Sequence, residues 1–110
     1  MLKGIFGNTT AERVLLYLEQ YGDGYGRAIA ATFEDVSVSM ALAQLKRFEA
    51  AGILVSRRQG RTLVFSWNPR SIFVEDIRAL LRKALDALPE DERKRYFRER
   101  QRPRRSGKPK

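Results

Sequence analysis

Residues 36–69 read VSVSMALAQLKRFEAAGILVSRRQGRTLVFSWNP, and the stretch changes its hydrophobic period once, at Gly52. Before the glycine, Ala41, Leu45 and Phe48 recur at three- and four-residue spacing, the mark of one buried helix face. Ser37 stands where an N-cap is wanted, and Gly52 where a left-handed residue closes a helix, which predicts a helix over about 38–51. The opposite face then carries Ser39, Ala43, Lys46 and Ala50, with Arg47 beside it. After the glycine, two runs of β-formers flank Gln59 and Gly60, and Leu63, Phe65 and Trp67 alternate onto one side. The expectation is a hairpin over 53–67 whose tip carries Arg57, Arg58 and Arg61. Charges at a hairpin tip either are solvated and keep it soluble or meet an anion.

Upstream of this stretch, Thr9 followed by Glu12 fits a capping box, and Ala11, Val14, Leu15 and Leu18 predict a first helix over about 10–20. The glycine-rich YGDGYG that follows lacks the spacing of a dinucleotide fingerprint and the Lys-Ser/Thr pair of a phosphate loop, so it reads as a linker. A short helix from about Arg27 to Thr32 uses Ile29, Ala30 and Phe33 as its apolar side. Downstream, Asn68-Pro69 marks the hairpin's exit and the start of a long fourth helix.

That fourth helix carries a stripe of Phe73, Ile77, Leu80, Leu81, Ala84, Leu85 and Leu88. Such a stripe exceeds what three short helices and a hairpin are expected to cover, and it predicts self-association through Phe73, Ile77, Leu81, Ala84, Leu85 and Leu88. Pro89 interrupts the pattern, and EDERKRYFRER begins acidic and ends basic, as a helix dipole favours. From Pro103 the chain is proline-containing, basic and free of apolar residues, and is expected to be disordered when unbound. The organisation is one folded unit over 1–88, a charged helical extension over 89–102 and a basic tail over 103–110.

A chain of 110 residues with 43% apolar content suits one small domain. It contains neither cysteine nor histidine, which removes disulfides, thiol chemistry, imidazole acid–base chemistry and soft-metal sites. Neither a cofactor nor an enzymatic activity is expected. The amino terminus lacks the apolar core of a signal peptide, and a cytoplasmic protein with no membrane partner is expected.

The net charge of +9 is unevenly placed. Residues 93–110 hold ten bases, namely Arg93, Lys94, Arg95, Arg98, Arg100, Arg102, Arg104, Arg105, Lys108 and Lys110, against Glu99 alone, which is the whole excess. The remainder is formally neutral, yet residues 53–70 carry Arg57, Arg58, Arg61 and Arg70 with no acid. The positive field therefore belongs to the hairpin and the tail.

Residues 5–69 resemble the DNA-binding domain of small prokaryotic regulators of the ArsR-like and MarR-like kind. The resemblance rests on Leu45-Lys46-Arg47-Phe48-Glu49-Ala50-Ala51-Gly52-Ile53, on the Arg57 to Pro69 run with its aromatic strand, and on Ile5-Phe6-Gly7-Asn8-Thr9. It implies an α+β fold, mainly helical with a small hairpin: a winged helix-turn-helix, to which the sequence beyond residue 69 adds a C-terminal helix and a basic tail. It also implies a third helix in the DNA major groove and a hairpin on the phosphate backbone. The chain departs from that pattern at Leu42 and Ala43, where relatives often carry polar residues, and at Glu34-Asp35, where they usually place a single glycine.

The expected function is a DNA-binding transcriptional regulator acting on double-stranded DNA as a homodimer. Ser37, Ser39, Gln44, Lys46 and Arg47 would supply groove contacts, and Arg57, Arg58 and Arg61 phosphate contacts. The alternative is a protein-interaction module that uses Leu42, Ala43 and the fourth-helix stripe, with the tail as a nonspecific nucleic-acid tether.

Overall fold

In the computed structural model, which describes residues 1–97, the elements run α1 (Lys3–Phe6), α2 (Thr9–Tyr21), β1 (Asp23–Gly24), α3 (Gly26–Thr32), α4 (Val38–Ala50), β2 (Leu54–Gln59), β3 (Thr62–Trp67), α5 (Val74–Ala87) and α6 (Glu90–Tyr96). The three strands form one antiparallel sheet in the order β1-β3-β2. The molecule is thus α+β.

The helix ends follow local chemistry. Ser37 Oγ accepts from the Met40 amide at 3.1 Å and opens α4. At the other end the Gly52 amide donates to the Glu49 carbonyl and the Ile53 amide to that of Phe48, a Schellman closure that needs the positive φ of 81° at Gly52. The expected capping box at Thr9 gives way to a different cap. Asn8 Oδ1 accepts from the Ala11 amide at 2.8 Å. Glu12 turns instead to the chain start, taking the Leu2 amide at 2.8 Å and pairing with the terminal amine. Asn68 likewise caps no helix: its Nδ2 donates to the Gly52 carbonyl and its own amide to that of Ile53, tying the two ends of the hairpin together.

The glycine-rich segment is more than a linker. Asp23 pairs with Ser66 and Gly24 with Phe65, so β1 extends the sheet. A Cβ on Gly24 would lie 2.7 Å from the Tyr17 ring, which explains why a glycine holds this strand against α2.

The core gathers Val14, Leu15 and Leu18 of α2, Ile29 and Phe33, Ala41, Leu45 and Phe48 of α4, and Leu54, Phe65 and Trp67 of the sheet. The same core takes in Val74, Leu81, Ala84 and Leu85 of α5. This overturns the expectation that the fourth-helix stripe is left over. Leu81, Ala84 and Leu85 are buried, Ile77 and Leu88 are half-buried against the core, and only Phe73 of the expected self-association set stands exposed. The physical reason is that α2 is buried on more than one side: Leu16 and Glu19 are buried along with the residues that pack under α4. Glu19 fastens the two helices, accepting from Arg78 Nε and Arg82 Nη2 at 2.7 Å each.

Helix α6 folds back and completes the body. Phe33 lies against the rings of both Tyr96 and Phe97, with centroids 5.2 and 5.6 Å away, and the Arg13 guanidinium covers Phe33 and Tyr96. The Tyr21 hydroxyl donates to the Tyr96 carbonyl at 2.9 Å. Among the described residues no helix is long and apolar enough to cross a membrane.

Candidate functional site

A concavity lies where α3, α4 and the hairpin converge. It is an open groove of about 470 Å³ lined by Tyr25, Gly26, Arg27, Val38, Leu42, Lys46, Arg61, Thr62 and Leu63. Three of these are cations and none is an acid. Arg27, Lys46 and Arg61 are exposed and make no ion pair among the described residues. A rim of three uncompensated cations over an apolar floor of Val38, Leu42 and Leu63 suits a polyanion that also offers apolar surface.

The local fold explains why these groups meet. α3 approaches α4 at Gly26, where a Cβ would stand 2.9 Å from Leu42 Cγ, so the glycine lets the Leu42 side chain seat against α3. Arg27 follows directly and stays at the rim. On the hairpin, Gln59 pairs with Thr62, leaving Gly60 and Arg61 as a two-residue tip, and the φ of 61° at Gly60 is the left-handed geometry such a turn requires.

Of the eight residues expected to touch DNA, the structure brings Lys46 and Arg61 to this groove and gives the others different settings. Arg57 and Arg58, adjacent in β2, point to opposite faces. Arg57 reaches across β3 to Asp23 at 3.8 Å, an exposed pair of small energetic weight, while Arg58 stands opposite Leu63 without an ion pair among the described residues. Ser37 is occupied as the α4 cap, and Ser39 Oγ lies 3.2 Å from Ser37 Oγ. Gln44 Oε1 accepts from Arg47 Nε at 2.9 Å. Arg47 also donates through Nη2 to the Phe6 carbonyl at 2.6 Å, and its guanidinium lies 4.7 Å from the Phe48 ring centroid. Arg47 is therefore a brace between α4 and the end of α1.

The acidic turn before α4 is neutralised from within the chain. Arg13 Nε lies 3.2 Å from Asp35, and Arg95 of α6 binds Glu34. The hydrogen bond to Glu34 pushes the Arg95 guanidinium above its ordinary value, and the charge of the same carboxylate adds to this. Lys94 pairs with Glu90 one turn away. Arg93 is exposed, and the remaining tail cations, Arg98, Arg100, Arg102, Arg104, Arg105, Lys108 and Lys110, lie outside the described residues.

Sequence reasoning did not single out Tyr25, Arg27 and Thr62. Arg27 had a signal, a lone cation following a glycine at a helix start, but its proximity to Arg61 depends on the β1–β3 pairing. No group of three or more acidic side chains among the described residues is arranged to hold a metal ion. The chain matches no protein-family model, no curated protein and no solved structure.

Proposed function

We propose that this chain is a winged helix-turn-helix module that binds double-stranded DNA and regulates transcription. α4 would enter the major groove and the β2–β3 hairpin would serve as the wing. The observation that carries this reading is the acid-free groove, because the outward side of α4 and the hairpin tip bound the same concavity and supply Lys46 and Arg61, two of its three unpaired cations. The element order and the β1-β3-β2 sheet also agree with the resemblance in residues 5–69. Neutralisation of Glu34 and Asp35 by Arg95 and Arg13 removes the repulsion that two bare carboxylates beside α4 would exert on phosphate.

The proposed assembly is a homodimer, with α5 contributing the side its own core leaves open. Exposed Phe73 and Ala87 lie on that side, with half-buried Leu80 at its edge between them at seven-residue spacing, flanked by Asp76 and Lys83. Two such helices packed antiparallel set Asp76 of one copy opposite Lys83 of the other.

Affinity for a random duplex measured across salt concentrations tests the DNA reading. Each phosphate contact contributes about 0.9 to the slope of log affinity against log salt. Arg58→Ala with Arg61→Ala is expected to lower that slope by about 2 and weaken binding to all sequences alike. An unchanged slope in the folded double variant removes the wing from the interface.

A further inference from the structure

We infer that α4 selects its DNA site through the 5-methyl groups of thymine, with Val38, Leu42 and Ala43 as the reading surface. The inference rests on the DNA-binding reading above and names what that interface reads.

The hydrogen-bonding groups that read base edges are largely engaged elsewhere on this helix. A glutamine recognises adenine by offering its carbonyl and its amide together. The Gln44 carbonyl already accepts from Arg47 Nε, so that pairing competes with a contact within the helix. An arginine recognises guanine with a free guanidinium fork. The Arg47 fork is turned back onto the Phe6 carbonyl and the Phe48 ring. Ser37 caps the helix and Ser39 leans on Ser37. Lys46 remains, a flexible point charge suited to phosphate.

Beside these groups, much of what α4 offers to solvent is apolar. Val38 is 42% exposed, Leu42 forms part of the groove floor, and Ala43 is exposed at the centre of the outward face. Arg27, Lys46 and Arg61 around that floor are complementary to a phosphate backbone and would hold a duplex over it. In the major groove, the base-edge group that rewards apolar contact is the thymine methyl. An aliphatic floor rimmed by cations and without acids therefore fits a thymine-bearing duplex, whose phosphates answer the cations and whose methyl groups answer the floor.

The test begins with the duplex that the full-length chain enriches from a random library. That duplex is then resynthesised with deoxyuridine in place of thymidine, which deletes the methyl groups and leaves every hydrogen-bonding edge in place. The wild type is expected to bind the uridine duplex about fourfold more weakly for each methyl contacted. Val38→Ala is expected to shrink that ratio. Ala43→Gln, at an exposed position that does not threaten folding, supplies a fresh amide and should shift the preference toward adenine hydrogen bonding. Equal binding of thymidine and uridine duplexes, with the preference over a scrambled duplex retained, overturns the thymine assignment and leaves the DNA reading standing. So does enrichment of a site with no thymine at its central positions. If no duplex is preferred over a scrambled one, the DNA-regulator reading falls and the inference falls with it.

Discussion

Arg47 and Phe6 lie 41 residues apart, and the Arg47 Nη2 donates to the Phe6 carbonyl at 2.6 Å. The contact links the end of α1 to the last turns of α4, and the edge-to-face packing of Phe6 on Phe48 lies beside it. A residue whose position on α4 suggests DNA contact thus holds two parts of the fold together.

Arg47→Ala is expected to destabilise the fold by about 1–2 kcal/mol, from loss of a charge-assisted hydrogen bond and a partly exposed cation–π contact. Arg47→Lys recovers little of this, since an ammonium cannot span Phe6 and Gln44 with one planar fork. Urea unfolding measures the change. Unaltered stability together with a salt slope lowered by about 1 would place Arg47 on the phosphates instead.

The two sides of α5 make opposite predictions. Leu81 is fully buried, so Leu81→Glu introduces an unpaired charge into the core and should cost more than about 4 kcal/mol, enough to unfold a small domain. Phe73 is 60% exposed, so Phe73→Glu should leave circular dichroism unchanged and shift sedimentation toward the monomer. A wild type that sediments as a monomer at micromolar concentration removes the dimer from the proposal.

Two truncations that differ by five residues should behave very differently. Ending the chain at Phe97 removes seven bases and one acid, lowering the net charge from +9 to +3. The fold is expected to persist while nonspecific affinity at low salt drops steeply. Ending it at Glu92 also removes Tyr96 and Phe97, uncovering Phe33, and should lower the thermal midpoint by several degrees. Equal midpoints for the two truncations would show that α6 adds no stability.

α4 and the hairpin were legible because their signals are local: Ser37 three residues before the amide it caps, Gly52 at a helix end, and alternation around Gly60. Strand β1 was not, since two residues containing a glycine carry no β pattern, and their pairing with Ser66 and Phe65 is decided by the fold of the intervening chain. The α5 stripe shows a different limit. Periodicity tells which side of a helix is apolar, but whether that side meets the same chain or another depends on how much surface α2 and α6 can offer it. The candidate site divided the same way. Lys46 and Arg61 could be chosen by their place on a helix face and a turn, whereas the engagement of Arg47 depends on a backbone carbonyl 41 residues away.

Asn68 bolts the base of the hairpin shut through Gly52 and Ile53, so changes in the length of the tip need not be transmitted to the helices. Residues added between Gly60 and Arg61 would cost chiefly loop-closure entropy, about 0.6 kcal/mol for each doubling of loop length. The hairpin is in this sense an exchangeable attachment on a fixed mount, where insertion alters reach and charge while the helical body keeps its stability.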